Sequence, residues 1–175
     1  MIEKTLPEGN ERLILGIDPG FGRMGYAVVA ASGNELHLLV CDATITPTRQ
    51  AYPLRLQLLY EELSVIIARF HPREAAIEKL FFGKNVTTAI GVAQARGVAL
   101  LTLVQSGLTI AEYTPSEVKL AVTGYGAARK EQVGYMVQQI LDLPTIPRPD
   151  DAADAAAIAI CHAHALRIYT EGLLR

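Results

Sequence analysis

Three short apolar runs in succession, followed by helical and extended runs in alternation, constrain this chain more than any other feature. Residues 12–18 (Arg-Leu-Ile-Leu-Gly-Ile-Asp) are largely apolar and stop at Pro19-Gly20, which suits a buried central strand. Tyr26 to Ala31 and Leu36 to Cys41 follow, joined by Ser32-Gly33-Asn34, where Gly and Asn favour a tight turn. Three antiparallel strands result. From Leu54 onward Leu59, Leu63, Ile66, Ile67 and Phe70 recur at helical spacing and end before His71-Pro72. Ala75 to Glu78 is extended again, and Thr87 to Val104 reads as a helix with Ile90, Ala93, Gly97, Leu101 and Val104 on one face. Gly91 and Gly97 within it point to close packing of another element, since each costs about 1 kcal/mol against alanine. Thr109 to Tyr113 is a further strand. Thr114 and Pro115 open a short helix to Val122, as N-cap and first helical residue. A loop over 123–128, a helix marked by Val133, Val137, Ile140 and Leu141, and a proline-rich connection lead to a last helix over 151–166.

The 175 residues suit one domain, and with half of them hydrophobic a substantial core can be buried. A formal charge of −2 argues against a surface that coats nucleic acid, so any phosphate-binding patch must be local. Two cysteines, Cys41 and Cys161, are too few for a disulfide scaffold. The start, Met1-Ile2-Glu3-Lys4-Thr5, lacks the pattern of a secretory signal, and no apolar run reaches the roughly 18 residues that span a bilayer. The expectation is a soluble protein of the reducing cytoplasm, with no membrane partner.

The chemistry lies in acids that end apolar elements. Asp18 closes the first strand, Glu78 closes the run Ala75-Ala76-Ile77, and Asp151 and Asp154 open an alanine-rich helix, three residues apart and on one face. Alanines at 152, 153, 155, 156, 157 and 159 would let that helix approach the sheet edge where Asp18 and Glu78 end. Acids in a first turn also complement the helix dipole, and Asp150 can serve as an N-cap. Four converging carboxylates repel one another unless they bind cations, and hard divalent ions take such oxygen ligands. Lys79, Lys84, Arg129 and Lys130 make a local basic patch, and Phe81-Phe82 sits among cations on a loop, where an aromatic can wedge against bases. Phe82 is expected to pack under the sheet edge, leaving Phe81 as the wedge. His162 and His164 read as structural, and Cys161 as a buried thiol. Gly20-Phe21-Gly22-Arg23-Met24-Gly25 matches the dinucleotide fingerprint by letter, but that motif needs a helix immediately afterwards, and Tyr26-Ala27-Val28-Val29-Ala30 is β-branched and short.

Taken in order, several blocks resemble the RuvC-type Holliday junction resolvases of the ribonuclease H-like superfamily, over nearly the whole chain from Leu15 to about His164. They are Gly16-Ile17-Asp18-Pro19-Gly20 with Gly25-Tyr26; Ala76-Ile77-Glu78-Lys79-Leu80-Phe81 with Lys84-Asn85; Tyr113-Thr114-Pro115-Ser116-Glu117-Val118-Lys119; Val122-Thr123-Gly124-Tyr125-Gly126; and Asp151-Ala152-Ala153-Asp154-Ala155. The resemblance implies an α/β ribonuclease H-like fold: a five-stranded mixed sheet, three antiparallel strands and then parallel ones, flanked by helices. Residues 1–11 would be an N-terminal extension to a single nuclease domain over 12–175. It further implies that Asp18, Glu78, Asp151 and Asp154 hold two Mg²⁺ ions, with Mn²⁺ able to substitute, that Phe81 stacks on the junction, and that Lys119 and Lys130 lie near the scissile phosphate. The implied activity is paired hydrolysis of four-way junction DNA in recombination and repair, by a homodimer whose two-fold axis matches the junction. Branch-migration motor proteins are the implied partners. Two other readings are a related nuclease acting on RNA, of the pre-ribosomal-RNA-processing type, and a nucleic-acid-binding module without catalysis.

Overall fold

Apolar residues on both sides of a strand demand cover on both faces, and the central strands of this protein are of that kind. The computed structural model describes residues 2–3, 11–80 and 86–172. Three long strands, β2 (Arg12–Asp18), β3 (Arg23–Ser32) and β4 (Glu35–Ile45), pair antiparallel; β5 (Glu74–Glu78) and β6 (Thr109–Tyr113) add parallel strands beyond β2. This is the expected five-stranded mixed sheet. A short strand β1 (Ile2–Glu3) extends it by pairing Ile2 with Cys41 and Glu3 with Val40, so the edge order is β1-β4-β3-β2-β5-β6.

Alternate residues of each strand face opposite layers. Ile14, Ala27, Val29 and Ala76 point to one core with helices α3 (Pro115–Thr123), α4 (Lys130–Ile140) and α5 (Asp150–Gly172). Leu15, Ile17, Val28, Ala75 and Ile77 point to the other, with α1 (Tyr52–Phe70) and α2 (Val86–Gln105). α1 stops where His71 turns left-handed at φ 50° and its N–H closes on the Ile67 carbonyl. α3 starts on a reciprocal cap: Thr114 Oγ1 accepts from the Glu117 N–H at 3.2 Å, and the Glu117 carboxylate accepts from the Thr114 N–H at 2.7 Å.

The glycine-rich segment after Asp18 turns straight into β3, so no helix follows it and the dinucleotide reading falls. No described helix is long and apolar enough to cross a membrane.

Two glycines decide how close α5 comes to the sheet. A β-carbon at Gly16 would lie 2.1 Å from the Ala155 carbonyl oxygen, and one at Gly25 would lie 2.0 Å from that of Asp151. Helix and sheet therefore touch backbone to backbone, with Ala155, Ala156 and Ala159 fully buried between them.

On α2 the stripe of Ile90, Ala93, Gly97, Leu101 and Val104 faces outward: Ile90, Leu101 and Val104 are 57, 55 and 64% exposed. The buried residues among those described are Gly91, Ala95, Ala99, Thr102 and Leu103, and the small ones let the helix sit low on its neighbours. Gly91 does accommodate another element, since a β-carbon there would meet the Phe21 ring at 3.4 Å. Gly97 does not; nothing lies within 4 Å of it, and it belongs to the outward stripe.

Candidate active site

Parallel pairing of β2 with β5 places Ile17 opposite Ile77, so the next residues, Asp18 and Glu78, leave adjacent strand ends side by side. Across the antiparallel pair Asp18 lies opposite Gly25, and the missing side chain there admits the Asp151 backbone. The start of α5 thus drops onto the same sheet edge. A cleft of about 230 Å³ opens at that point, lined by Asp18, Glu78, Asp154, Lys119 and Lys130, with Pro115, Val118, Val133, Ala157 and Ile158 as its apolar wall. Three of the four acids singled out in the sequence, and both lysines, share one space.

Asp151 stands at the side of this cleft. Its carboxylate is 3.7 Å from the Arg23 guanidinium, which projects from the start of β3. Lys130 donates from Nζ to Asp154 Oδ2 at 2.7 Å and lies 3.8 Å from Asp150 Oδ2; Asp150 also pairs with Arg148. Asp150, the first residue of α5, thus turns its carboxylate to these two cations. Among the described residues no three acidic, histidine or cysteine side chains are gathered tightly enough to close on a metal ion. The chain's own cations explain this, since Lys130 and Arg23 draw Asp154 and Asp151 toward themselves.

The electrostatics record how crowded the acids are. Burial, then the charges of Glu78, Asp154 and Asp151, push Asp18 up to about 7, with Lys130 opposing. Glu78 is also raised, by burial first and then by Asp154, with Lys119 and Lys130 opposing. Repulsion alone would have been the reading from sequence; loss of water is the larger cause. For Lys130, burial lowers the pKa, but the bond to Asp154 and the charges of Asp154, Asp150 and Asp151 outweigh it and hold the ammonium above its ordinary value.

The remaining basic candidates are less central. Lys79 is exposed just beyond β5, its N–H held by the Tyr113 carbonyl at 2.8 Å, and its charge helps lower the Glu117 carboxylate after that group's bonds to Thr114. Arg129 is exposed immediately before α4. Phe81, Phe82 and Lys84 lie outside the described residues.

His162 is structural, as the sequence suggested. Its ring is buried, with Nδ1 2.8 Å from the Tyr113 hydroxyl and Nε2 3.0 Å from Glu74, which in turn accepts both bonds of an Arg12 fork at 2.8 and 2.6 Å. His164 Nδ1 lies 3.2 Å from the Ala121 carbonyl. Cys161 is buried, and its thiol is pushed up to about 12 by burial and the nearby Glu117. Arg23 and Arg148 escaped the sequence reading. Arg23 stands within the glycine fingerprint rejected above and meets Asp151 only through the β2–β3 register and the seating of α5, whereas Arg148 lies two residues before Asp150, where no motif marks it.

The family model described as crossover junction endodeoxyribonuclease RuvC matches residues 14–162. A crossover junction endodeoxyribonuclease RuvC of Roseiflexus sp. is 54% identical over 151 residues, covering 86% of this chain and 90% of its own. One from Chloroflexus aggregans is 56% identical over 150 residues, covering 86% and 92%. Among solved structures, Thermus thermophilus RuvC in complex with a Holliday junction substrate superposes with a TM-score of 0.86 at 34% identity, covering 91% of this chain and 97% of that one.

Proposed function

Since the chain belongs to the RuvC family of crossover junction endodeoxyribonucleases, we propose that it cuts four-way DNA junctions, a pair of strands at a time, in recombination and repair. The observation that carries this reading is the joint presence of Asp18, Glu78, Asp154, Lys119 and Lys130 around one cleft at the sheet edge. Nothing in that lining suits a soft metal or an organic cofactor. Its donors are carboxylate oxygens; burial and the neighbouring charges hold Asp18 high, and the acids draw in an ammonium, which fits a hard divalent cation.

Asp18, Glu78 and Asp154 would hold Mg²⁺, or Mn²⁺ in its place, with Asp151 contributing from the side. Two such ions supply an activated water and charge stabilisation at the departing 3′ oxygen. The chain's own work is positional and electrostatic. The strand ends give Asp18 and Glu78 fixed directions, and the α5 contact with Gly16 and Gly25 gives Asp154 its height above the sheet. Lys119 and Lys130 present ammonium groups to a phosphate entering the cleft, where they stabilise the extra negative charge of the pentacoordinate transition state. Lys130 reaches that phosphate by exchanging one anion, Asp154, for another. Phe81, three residues after Glu78, would stack on an opened base, with Lys79, Lys84 and Arg129 holding the flanking backbone.

Cutting two opposed strands of a two-fold junction calls for two sites related by a two-fold axis, as a C2 homodimer supplies. The outward stripe of α2 suits that contact: it is apolar, and Ala93 and Gly97 at its middle would let two helices approach closely.

The test compares cleavage of a synthetic four-way junction, a linear duplex of the same sequence and an RNA hairpin, with Mg²⁺ and with EDTA. Symmetric, Mg²⁺-dependent incision of the junction alone is expected. Preferential cleavage of the RNA, or none of any substrate, would overturn the proposal.

A further inference from the structure

Resting on the nuclease reading above, we infer that Tyr125 is a further DNA-contacting residue, a rigid aromatic platform at the lip of the cleft that stacks on a base or sugar of the bound strand. The connection between α3 and α4 joins two helices that both line the cleft, Val118 and Lys119 from α3 and Lys130 and Val133 from α4, and Lys130 follows it directly. The connection folds back on α3, since a β-carbon at Gly126 would lie 3.4 Å from the Ser116 carbonyl oxygen, next to Pro115 of the cleft wall.

Tyr125 stands at the turn of this connection with 63% of its surface in water. Looseness is not the reason. Gly124 takes the left-handed conformation at φ 75° and closes α3 on the Leu120 carbonyl. Thr123 Oγ1 accepts from the Tyr125 N–H at 3.1 Å and stands 2.8 Å from the Lys119 carbonyl. The Tyr125 carbonyl accepts from the N–H of Ala128 at 3.1 Å, and Ala128 itself is buried. The backbone on both sides of the ring is therefore held while the ring stays in solvent.

A large exposed ring on a rigid turn contributes little to folding, and here its surroundings match one class of ligand. From Lys119 to Lys130 the chain carries Lys119, Arg129 and Lys130 and no acid. Aromatic faces interleaved with cations form platforms for unpaired nucleotides, the cations taking phosphates and the rings taking bases. A ring carried on backbone already held loses less freedom on binding than one on a mobile loop. Its place on the segment between Lys119 and Lys130, both of which line the cleft, assigns it to nucleotides near the bond to be cut.

The test uses the full chain in EDTA, so that binding is read without cleavage, with a fluorescent four-way junction carrying 2-aminopurine beside the cleavage point. Tyr125→Ala and Tyr125→Leu are expected to weaken junction binding by about 5- to 150-fold, the range for losing one stacked base, and to abolish quenching of 2-aminopurine. Tyr125→Phe, which keeps the ring, is expected to retain both. The slope of affinity against salt should stay unchanged, since no phosphate contact is lost. Unaltered binding and quenching by Tyr125→Ala would overturn the inference while leaving the nuclease reading in place, as would a Leu variant that behaves like wild type. A wild-type protein that does not bind the junction would overturn the nuclease reading itself, and Tyr125's role with it.

Discussion

Asp18 is the residue on which the most turns, being buried at a strand end with three other acids near enough to raise it to about 7. Asp18→Asn should leave junction affinity nearly intact and remove cleavage if, as proposed, the lysines take the phosphate and the carboxylates the metal; residual cleavage above about a tenth of wild type would remove the assigned role. The same residue sets a pH dependence. An aspartate near 4 in the unfolded chain and about 7 in the fold binds its proton more tightly when folded, so metal-free stability falls as pH rises between those values and levels off above. Melts in EDTA at pH 5 and pH 8 should show a smaller change for Asp18→Asn than for wild type; equal changes would show that Asp18 is not the group concerned. Lys130 offsets part of this penalty through its bond to Asp154. Lys130→Gln is therefore expected to lower the melting temperature in EDTA and to enlarge the rise produced by Mg²⁺, a rise worth about 2.7 kcal/mol per site at a hundred times the dissociation constant. Asp18, Glu78, Asp154 and Lys119 were legible from sequence because acids closing apolar strands have few ordinary uses and because the family blocks covered them, and Lys130 because the resemblance implied it. The pairing of Asp151 with Arg23 was not, since it depends on side chains from separate segments meeting at a distance that no spacing rule encodes, and the local pair of Arg148 with Asp150 carries no motif that marks it.

At the scale of elements, the seating of α5 on the sheet carries the site. Gly16→Ala would place a methyl 2.1 Å from the Ala155 carbonyl oxygen, a backbone atom that can move only with the helix. The expected cost is about 1 to 3 kcal/mol in urea unfolding, with a loss of cleavage beyond what the remaining folded fraction explains, because Asp154 is lifted with the helix. Stability and activity indistinguishable from wild type would mean that the contact is slack. The alanine run of α5 announced this close approach, and strand and helix order were readable from the alternation of periodicities. The orientation of α2 was not readable. That helix is apolar nearly all round, so periodicity gives no preferred side, and the fold buries Ala95, Ala99 and Leu103 while Ile90, Leu101 and Val104 stay outside. Only the space left between α1, the sheet and Phe21 decides it.

The whole molecule presents that outward α2 stripe on the layer opposite α5, so a two-fold partner could cover it without touching the face that holds α5. Leu101→Lys should convert a dimer seen by light scattering at micromolar concentration into a monomer, while leaving the melting temperature of the chain close to its monomeric value; an unchanged mass would place the interface elsewhere. Paired incision should then give way to single nicks. The N-terminal pair Ile2–Glu3, whose sequence carried no strand signal long enough to read, adds an edge to the sheet beside Cys41. Both sulfhydryls of the chain, Cys41 and Cys161, lie inside the layers, with thiols raised to about 11 and about 12, by burial first in each case. Thiolate is the form that alkylating reagents and peroxides attack, and at neutral pH these two groups supply almost none of it. The native protein should therefore leave maleimide and Ellman's reagent unspent until it is denatured. A single cysteine introduced on the surface away from the α2 stripe, at position 65 of α1 for instance, would become the sole handle for a dye, which makes the fold a ready scaffold for testing whether two protomers meet.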